Sequence, residues 1–369
     1  MFDNIIGFLI LGLPLKNIIF CGGGSGGHVI PAVTIIRAIK EKDPECTIFA
    51  LGSEYGIEAE LFLAEKVNFK NISTGKLRRY LSFQNIIDIF KVMLGIFQSF
   101  IFLFKFKGKD SLVFSTGGFV SVPVVVAAFF QGKRIYIHEQ TSRVGLANKI
   151  CSIFADKILI TFESSKDLFP KDKTKLLGYP LRKEILSTPP LLKVGDINLE
   201  KVKKPILFIT GGGNGSLLLN EALLNIKDKL EEDFFIIHQS GKKFVEKLRS
   251  LESESYKVFD FIGEEMVSLL AYSDVVISRA GAGTVVELMA LGRPSIFIPL
   301  KIAQKNEQFW NAKEAEKRLG SIVIEEDQLS SDILIKSIRE IQNCSKGPSL
   351  STNPTEAIIE EILGDDNAK

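Results

Sequence analysis

One histidine of the chain directly follows a glycine-rich turn, where its side chain could act in proton transfer. The stretch CGGGSGGHVIPAVTIIRAIK, residues 21–40, joins a short apolar run to a helical pattern through five glycines and His28. A side chain at the carboxyl edge of a parallel sheet projects into the crevice that binds ligands, and an imidazole there can accept a proton from a hydroxyl. The alternative is a histidine that only caps the helix or stabilises the turn.

The same turn could bind a phosphate group. Backbone N–H groups at a helix start are unpaired, and glycine lets an anion approach them closely. Gly22, Gly24 and Gly27 have the G-x-G-x-x-G spacing, but the next strand, CTIFAL, is followed by Gly52 and Ser53 rather than by the acidic residue that a dinucleotide site needs. No Lys-Ser or Lys-Thr pair follows either glycine cluster of the chain, so the sequence has no P-loop. A nicotinamide cofactor is therefore disfavoured.

A second stretch carries the residue types of a nucleotide site. In SDVVISRAGAGTVVELMALG a strand leads to Arg279, a turn at Gly281 and Gly283, then Thr284 and a helix that carries Glu287. Amides, a hydroxyl and a guanidinium at one helix start bind an anion, and a carboxylate one turn along can accept both hydroxyls of a sugar diol. Phosphate plus ribose indicates a nucleotide. The alternative is that Glu287 is a solvated helix residue and Arg279 forms a surface ion pair.

Amide side chains further along the chain suit an uncharged sugar. The segment AQKNEQFWNA presents Gln304, Asn306, Gln308 and Asn311. Each amide can both donate and accept hydrogen bonds, as a ligand with many hydroxyl groups requires.

The pattern of strands and helices predicts two sheets that would position these residues. Short apolar runs alternate with helical segments, from KNIIFC near the amino end to SIVIEE at 321–326. Mostly apolar strands are typical of parallel sheets covered on both faces, so the alternation predicts an open, doubly wound α/β fold. Because a strand and a glycine turn recur in PILFITGGGNGSLLLNEAL, residues 205–223, two Rossmann-like domains describe the chain better than one sheet.

The same pattern gives the domain boundaries. We predict an N-terminal domain over residues 1–182, a charged, proline-containing linker over 183–204, a C-terminal domain over 205–345, and a tail over 346–369 whose short helix packs back on the body. The run SLVFSTGGFVSVPVVVAAFF, residues 111–130, is as long as a membrane helix, but Gly117, Gly118 and Pro123 predict a buried strand, a turn and a buried helix instead. The apolar residues 5–15 are too few to span a bilayer.

The composition is typical of a folded globular protein. The chain has 369 residues, of which 46 % are apolar and 24 % charged, and its net charge of +2 gives no basis for bulk nucleic-acid binding. The cysteines and histidines show no spacing typical of a metal clip or a redox pair, so no metal site is predicted. They are Cys21, Cys46, Cys151, Cys344, His28, His138 and His238.

Seven motifs in order resemble those of the MurG family of N-acetylglucosaminyltransferases. They are GGGSGGHVIPA, STGGFVSVP, IHEQTSRVGLANK, GYPLR, TGGGNGS, SRAGAGTVVE and EQFWNA, and the resemblance runs from about residue 16 to 340. It implies a GT-B arrangement, in which two Rossmann-like domains face a central cleft. The implied reaction is an inverting transfer of N-acetylglucosamine from its UDP donor to the C4 hydroxyl of the N-acetylmuramyl unit of undecaprenyl-linked lipid I, giving lipid II in peptidoglycan synthesis.

The resemblance also implies roles for individual residues. His28 would be the general base, and Glu139 a second catalytic residue on the acceptor side. That side would also include Gly117, Gly118, Phe119 and Asn148. The donor would be bound by Ser25, Gly26, Gly27, Thr141, Arg182, Gly213, Asn214, Ile262, Arg279, Ala282, Gly283, Thr284, Glu287, Gln308 and Asn311.

Within the donor set, each group of residues would meet a different part of UDP-N-acetylglucosamine. The Ile262 backbone would contact the uracil and Glu287 the ribose, while Arg182 and the segment 282–284 would meet the phosphates. Gln308 and Asn311 would bind the hydroxyl groups of the sugar. Since the sequence has no Asp-X-Asp motif, we expect no metal or other cofactor in the chemistry.

The chain departs from the family's motifs at several positions. Thr141 stands where HEQN is usual, Gly213 and Asn214 alter the usual GGSQG, Tyr179 alters GNP, and Glu307 replaces the first glutamine of a QQ pair. These departures bear on individual contacts more than on the activity. They leave a related sugar nucleotide or a diverged enzyme as alternatives.

A lipid-linked acceptor requires a surface that meets the bilayer. The stretch NIIDIFKVMLGIFQSFIFLFKFKGK, residues 85–109, is rich in phenylalanine and ends in lysines, as an interfacial helix needs. We predict a membrane patch at Phe102, Phe104, Lys105, Phe106 and Lys107. The competing interpretation is a buried helix, and we expect a mixed role.

The expected partners follow from the resemblance. They are UDP-N-acetylglucosamine, lipid I, an anionic membrane surface and other cell-wall synthesis proteins, with no nucleic acid, and the expected location is peripheral, on the cytoplasmic face of the bacterial inner membrane. Two alternatives remain. One is a UDP-N-acetylglucosamine 2-epimerase of the same two-domain design, and the other is a non-catalytic sugar-nucleotide sensor.

Overall fold

Two parallel sheets, one in each of two units, organise the chain. The structure is a computed structural model that describes residues 17–54, 56–75, 83–106, 111–187 and 192–364. The first unit consists of the chain up to Leu181 together with the chain from Asn353 onward. The second unit runs from Arg182 to Thr352.

The first sheet has seven parallel strands in the order β3-β2-β1-β4-β5-β6-β7. β1 lies at its centre and is buried from Ile18 to Gly22, because helices cover both faces of the sheet. Its register pairs Ile18 with Ile48 of β2 and with Leu112 of β4. The strands are β1 (Asn17–Gly22), β2 (Thr47–Ser53), β3 (Asn68–Ile72), β4 (Ser111–Gly117), β5 (Arg134–Glu139), β6 (Lys157–Ile160) and β7 (Thr174–Leu176).

The helices of this unit connect consecutive strands. They are α1 (Gly26–Lys42), α2 (Glu58–Ala64), α3 (Phe83–Leu103), α4 (Ser121–Phe130) and α5 (Leu146–Cys151), with 3-10 helices at Glu163–Leu168 and Lys171–Lys173. The predicted strand, glycine turn and helix within residues 111–130 are confirmed: β4 and the body of α4 are buried, and Pro123 lies in the first turn of the helix.

The second sheet repeats this topology with six parallel strands in the order β12-β11-β10-β13-β14-β15. Its strands are β10 (Ile206–Thr210), β11 (Phe235–Gln239), β12 (Tyr256–Phe259), β13 (Val275–Ser278), β14 (Ile296–Phe297) and β15 (Ile322–Val323). In both sheets the first strand lies between the second and the fourth. The strand order therefore reverses at the first strand, with later strands added on its other side. Ligands of open α/β sheets bind at this switch point.

The remaining elements of the second unit surround its sheet. A short antiparallel hairpin of β8 (Lys193–Val194) and β9 (Ile197–Asn198) precedes the sheet. The helices are α6 (Leu217–Leu224), α7 (Lys227–Asp233), α8 (Val245–Arg249), α9 (Met266–Tyr272), α10 (Ala282–Ala290), α11 (Glu307–Leu319) and α12 (Ser331–Gln342), with 3-10 helices at Lys183–Ile185, Leu199–Lys201, Gln304–Asn306 and Glu326–Gln328.

The last helix, α13 (Pro354–Leu363), belongs to the first unit. Its Ile358 and Ile362 are fully buried in the same cluster as Ile35 of α1. The Thr355 hydroxyl donates to the Leu181 carbonyl oxygen at 2.8 Å. The last helix therefore packs on the first unit. The two confirmed Rossmann-like sheets agree with the predicted fold class, while the domain limits given above stay predictions.

Helix α3 exposes a continuous apolar surface. Ten of its residues and the next turn are large, hydrophobic and 37–77 % exposed: Ile86, Ile87, Ile89, Phe90, Met93, Leu94, Phe97, Phe100, Ile101 and Phe104. The opposite side packs on the unit, since Asp88, Gly95, Ser99 and Leu103 are buried there. Within the described residues, one helix is long and apolar enough to cross a bilayer by length and composition, over Ile86–Leu103, and 22 % of that window is buried.

Candidate functional site

A buried carboxylate from α2 holds the turn that follows β1. Glu58 accepts hydrogen bonds from the N–H and the hydroxyl of Ser53 and, at 3.2 Å, from the N–H of Gly24. A Cβ on Gly23 would lie 2.6 Å from this carboxyl group, so a larger residue does not fit there. The turn therefore already contacts an anion that the chain itself supplies.

The exposed start of α1 follows this turn. Ser25 is its N-cap residue in extended conformation, and its side chain makes no capping hydrogen bond. Gly26 and Gly27 form the first helical positions and are at most partly buried. Their N–H groups are among those that lack an intrahelical acceptor, so this helix start can receive an anionic or hydroxyl ligand.

The ring of His28 is tied to the ends of two neighbouring strands. Its Nδ1 lies 3.0 Å from the carbonyl oxygen of Thr116 and 3.4 Å from Oε1 of Gln140. Because a carbonyl oxygen only accepts, Nδ1 carries the ring hydrogen and Nε2 carries the lone pair. A neutral imidazole in this form can take a proton through Nε2.

The turn after β4 closes around this histidine. Gly117 and Gly118 have φ of +93° and +82°. A Cβ on Gly117 would lie 3.2 Å from both His28 Nδ1 and the Asn148 amide, and one on Gly118 would lie 2.1 Å from the Gly23 carbonyl oxygen. Both positions therefore require glycine for conformation and for space. The structure thus brings together three predicted acceptor-side residues and the predicted base.

Phe119, the remaining residue of that turn, and Asn148 make further contacts beside the histidine. The Phe119 ring packs against the first turn, 2.3 Å from the position of a Cβ on Gly24. Asn148 is buried, and its amide nitrogen donates to the His138 carbonyl and to Glu139, each at 3.1 Å. Both side chains support the surroundings of His28.

Glu139 is 2 % exposed and accepts hydrogen bonds on both carboxylate oxygens. Oε1 accepts from the N–H and, at 2.8 Å, from the hydroxyl of Thr141, while Oε2 accepts from Asn148 and from the Gly145 N–H at 3.3 Å. This carboxylate organises the loop between β5 and α5. Thr141, one of the departures from the family pattern, directs its hydroxyl inward to Glu139 and to the Arg143 carbonyl.

In the second unit, a cavity of about 440 Å³ opens at the glycine turn that follows β10. Its volume lies in the range of small-molecule sites. Four residues predicted to bind the donor line it: Gly213, Asn214, Arg279 and Gln308. The remaining lining residues are Gly211, Gly215, Ser216, Leu217, Leu218 and Leu300.

A buried glutamine connects this turn to the segment predicted to bind a nucleobase. The Gln239 amide nitrogen donates to the Thr210 hydroxyl at 3.0 Å and to the Gly212 carbonyl at 3.1 Å. Its Oε1 accepts from the Ile262 N–H at 2.8 Å. The N–H of Ile262 is thus used internally, and its carbonyl is the backbone group that a base could contact.

Arg279 is held by partners within the unit. Its guanidinium donates to the Ile298 carbonyl at 3.0 Å and to the Ser216 hydroxyl at 2.9 Å, and it forms an ion pair with Glu326 at 2.7 Å. The side chain is 10 % exposed. Arg279 therefore fixes one wall of the cavity, and Glu326 compensates part of its charge.

Glu287 and Arg182 form an ion pair. Two guanidinium nitrogens of Arg182, Nε and Nη2, donate to Oε1 of Glu287 at 3.0 and 2.8 Å. Burial raises the pKa of the Glu287 carboxyl, and the adjacent guanidinium opposes this shift. The two residues predicted to contact ribose and pyrophosphate thus lie together at the helix that begins at Ala282.

The start of α10 is free of a side-chain cap. Gly281 is the N-cap residue and has no side chain to accept from the first turn. The N–H groups of Ala282, Gly283 and Thr284 occupy the positions that an anion can bind.

The amide residues separate into two groups. Gln308 accepts from the Leu300 N–H at 3.0 Å, and Asn311 is buried and donates to the Ala280 carbonyl at 3.2 Å. Gln304 and Asn306 are exposed, and Lys305 and Asn306 have left-handed backbone conformations. This strained segment precedes α11 and places Gln308 in the cavity wall.

The predicted membrane patch is partly core. Phe106 is 8 % exposed, because its ring packs on Phe49 with centroids 4.7 Å apart, so the structure corrects its assignment to the surface. Phe102 is partly buried against the same core. Phe104 is 77 % exposed, Lys105 is exposed beside the Phe102 ring, and Lys107 lies outside the described residues.

Three residues that the sequence patterns missed are hydrogen-bonded to the predicted residues or to the turns that carry them. Glu58 lies on α2, 34 positions after Gly24, so no local spacing indicates its contact with the first glycine turn. Gln140 and Gln239 had a usable signal, since each stands near the end of a sheet strand just after a buried histidine, in IHEQ and IIHQ. Across the described residues, no group of three or more His, Cys, Asp and Glu side chains could hold a metal ion.

Comparison with known proteins gives two family matches. The glycosyltransferase family 28 N-terminal domain matches residues 18–160, and the glycosyltransferase family 28 C-terminal domain matches residues 206–362. A Clostridium perfringens relative is 40 % identical over 88 % of this chain and 90 % of its own length. A Borrelia hermsii relative is 39 % identical over 88 % of each chain. Both are named UDP-N-acetylglucosamine–N-acetylmuramyl-(pentapeptide) pyrophosphoryl-undecaprenol N-acetylglucosamine transferase.

Solved structures share the fold at lower identity. The crystal structure of Acinetobacter baumannii MurG is 21 % identical, with a TM-score of 0.64 over 95 % of this chain and 99 % of that one. A UDP-GlcNAc 2-epimerase of Methanocaldococcus jannaschii, in complex with UDP-GlcNAc and UDP, is 14 % identical, with a TM-score of 0.62 over 94 % and 99 %. The fold alone therefore does not separate a transferase from an epimerase.

Proposed function

The chain belongs to glycosyltransferase family 28, and from this premise we propose that it transfers N-acetylglucosamine from UDP-N-acetylglucosamine to undecaprenyl-linked lipid I, forming lipid II. The observation that carries the proposal is the 40 % identity, over 88 % of the chain, to a relative named for this reaction. The epimerases share the fold at much lower identity, so they are the weaker alternative.

The geometry around His28 supports the role of general base. In an inverting transfer, the acceptor C4 oxygen bonds to the anomeric carbon while the bond from that carbon to the UDP oxygen breaks, and its electron pair leaves with UDP. The acceptor hydroxyl proton passes to His28 Nε2, the nitrogen that carries the lone pair. Because the ring orientation is fixed, the base is already in position for in-line attack.

The second unit supplies the residues for the donor. The cavity beside Gly213 and Asn214 is large enough for part of a nucleotide sugar, with Gln308 in its wall. At α10 the free N–H groups would receive phosphate oxygens, Glu287 the ribose and Arg182 the pyrophosphate. Because Arg182 and Glu287 now pair with each other, donor binding would exchange that pair for contacts to the nucleotide.

We propose that the leaving diphosphate is stabilised without a metal ion. Helix-start N–H groups and the Arg182 guanidinium would supply the positive charge that a divalent ion supplies elsewhere. After exhaustive chelation with EDTA, the transfer rate should stay within about twofold of its value in magnesium. A rate that is lost on chelation and restored by magnesium would contradict this part of the proposal.

The decisive assay uses purified protein, radiolabelled UDP-N-acetylglucosamine and a short-chain lipid I analogue. Label should appear in a lipid II analogue with the β configuration at the new bond. Release of 2-epimerised sugar nucleotide without acceptor would indicate the epimerase instead. Binding of UDP without any turnover would indicate a sensor.

The exposed apolar surface of α3 supports attachment to a membrane surface. Because Asp88, Gly95 and Leu103 are buried against the unit, only one side of the helix is available to lipid, as in a helix that lies in the interface. A Cβ on Gly95 would lie 2.0 Å from the Ser73 carbonyl oxygen, so the helix packs closely on its own unit. The exposed Lys91 and Lys105 would favour anionic lipid.

Vesicle sedimentation tests this surface. Replacing Phe90 and Phe97, which are 66 % and 63 % exposed, with serine should weaken binding to anionic phospholipid vesicles by about tenfold or more, because apolar area no longer leaves water. Activity on a water-soluble acceptor should be unchanged. The matched control replaces Leu251 and Ile333, exposed apolar residues of the second unit, and should bind vesicles as the unmodified protein does. Equal binding of both variants would assign α3 no membrane role.

A further inference from the structure

A chain of hydrogen bonds runs from His28 into the interior of the first unit. Gln140 Oε1 faces His28 Nδ1 at 3.4 Å, and Gln140 Nε2 lies 3.1 Å from His138 Nδ1 and 2.9 Å from the His138 carbonyl oxygen. His138 Nε2 lies 2.9 Å from the Gly178 carbonyl oxygen. His138 is fully buried and Gln140 is 1 % exposed, so water does not compete for these bonds.

The hydrogens of this chain can be assigned from its two ends. The carbonyl oxygens of Thr116 and Gly178 only accept, so His28 Nδ1 and His138 Nε2 each carry a hydrogen. His138 Nδ1 then accepts from the Gln140 amide. Burial lowers the pKa of His138 to about 4, against the opposing effect of the Gly178 carbonyl, so the ring is neutral at neutral pH.

Only one orientation of the Gln140 amide satisfies these partners. With Nε2 toward His138, the amide donates to a ring nitrogen and to a carbonyl, and its Oε1 accepts from His28. In the flipped orientation, Nε2 would face the N–H of His28, and Oε1 would face the lone pairs of His138 and its carbonyl. The buried neutral His138 thus determines which atom Gln140 presents to His28.

We propose that Gln140 is a positioning residue that, oriented by the neutral His138, holds His28 in the form with hydrogen on Nδ1 and the lone pair on Nε2. The proposal deepens the proposed function and rests on it for the use of Nε2 as the base. Thr116 and Gln140 present acceptors to the same N–H, so neither contact has to rearrange when His28 becomes positively charged on taking the proton. Free histidine favours the opposite form, with hydrogen on Nε2, so the environment must impose the proposed one.

Nitrogen-15 NMR of the full chain tests the proposal without any substitution. The chain has three histidines, and long-range proton–nitrogen spectra distinguish protonated from unprotonated ring nitrogens. His28 should show hydrogen on Nδ1, and His138 hydrogen on Nε2. A spectrum in which His28 carries its hydrogen mainly on Nε2 would overturn the proposal, whatever the activity of the protein.

Variants then test the role of Gln140. In Gln140→Leu the His28 signals should move toward a mixture of forms, and kcat should fall by about tenfold to a hundredfold with the KM for UDP-N-acetylglucosamine within twofold. Gln140→Glu keeps an acceptor for His28 but cannot donate to His138, so it should retain the His28 form better than leucine and alter the His138 signals. Unchanged His28 signals in both variants would also overturn the proposal.

Two controls separate this effect from general destabilisation. Thr34→Val removes the hydrogen bond that the Thr34 hydroxyl donates to the Ile30 carbonyl on the same helix as His28, and it should leave the His28 form unchanged. The His238 signals, from the second unit, serve as an internal reference. If the unmodified protein shows the proposed His28 form but transfers no sugar to lipid I, the proposed function fails while the hydrogen assignment stands.

Discussion

The two units place the same supersecondary structure in different surroundings. In each, the central strand of a parallel sheet ends in a glycine-rich turn that leads to a helix, after β1 and after β10. The first turn is bonded to the carboxylate of Glu58. The second is bonded to the neutral amide of Gln239 and borders an open cavity of about 440 Å³.

The difference lies in residues far from the turns in sequence. An internal carboxylate at the first turn would compete with a phosphate for the same N–H group, so this turn is better suited to holding the neighbouring His28 in place. An amide carries no charge and leaves the second turn able to accept an anion, with the uncapped start of α10 in the same unit. A glycine-rich motif therefore predicts that another group can approach the backbone closely. The side chain that is bonded to the turn determines whether that group can be an anion.

The sharpest test of this division removes the imidazole. His28→Ala should lower kcat by about 10²- to 10⁴-fold, because the acceptor hydroxyl would lose the proposed base. The affinity for UDP, measured by calorimetry, should remain within about twofold, since most of the residues predicted to bind the donor belong to the second unit. Loss of UDP affinity together with turnover would mean that the two turns do not divide these tasks.

A glycine of the second turn gives the next largest effect. Gly215 has φ of +73°, and a Cβ there would lie 1.9 Å from the Ser240 carbonyl oxygen. Gly215→Ala should lower the free energy of unfolding by about 3 kcal/mol and weaken UDP binding at least tenfold, because the cavity wall must shift.

Gly212 is the matched control for that substitution. Its φ is +80°, but nothing lies within 4 Å of a Cβ there. Gly212→Ala should cost only the conformational strain, about 1 kcal/mol. Equal losses of UDP affinity in the two variants would show that crowding at Ser240 is not what shapes the cavity.

The sequence was sufficient for the parts of the fold that repeat. Apolar strands and glycine turns predicted two doubly wound sheets, because strands buried on both faces carry a continuous apolar signal. β3 (Asn68–Ile72) and β7 (Thr174–Leu176) were missed, since both lie at sheet edges, most of their residues are polar and most are exposed. The small hairpin of β8 and β9 was missed as well, because each strand has only two residues.

Sequence patterns predicted residues that line the cavity, but they did not predict the contacts that residues make with one another. Gly213, Asn214, Arg279 and Gln308 were predicted and line one cavity, although Arg279 is bonded within the wall. The contact of Glu58 with Gly24 joins residues 34 positions apart, and no spacing rule encodes it. Contacts of this kind depend on the packing of helices on the sheet, which local patterns do not specify.

Glu58→Gln tests the partner of the first turn. The substitution keeps the shape of the side chain but loses its charge and one acceptor oxygen, so we expect a loss of about 2 kcal/mol in the free energy of unfolding. UDP affinity should not change. Glu60→Gln, on the exposed side of the same helix, is the control and should have little effect. If the glutamine variant binds UDP more tightly, the first turn is itself a phosphate site that Glu58 occupies.

The smallest effect concerns the buried histidines, one in each unit. Burial lowers the pKa of His138 to about 4 and that of His238 to about 3, whereas an unfolded histidine titrates near 6.5. Below a pH of about 6.5 the unfolded chain therefore binds more protons than the folded chain, so the free energy of unfolding falls as the pH falls. This loss continues down to the pKa of each ring in the folded protein. From pH 7.5 to 5.5, each histidine should lower the free energy of unfolding by about 1.4 kcal/mol.

His238→Gln isolates the share of the second unit. The His238 ring forms hydrogen bonds with the Tyr256 hydroxyl and with Asn220 Oδ1, each at 2.9 Å. It is not connected to His28 through the contacts described above. Chemical denaturation at the two pH values should show that the variant loses about 1.4 kcal/mol less than the unmodified protein on acidification, because glutamine does not titrate. Carboxylates contribute alike to both proteins, so the difference reports the histidine. An identical pH dependence in the two proteins would mean that His238 takes up its proton in the folded state, and that the interior of the second unit admits charge more readily than its packing implies.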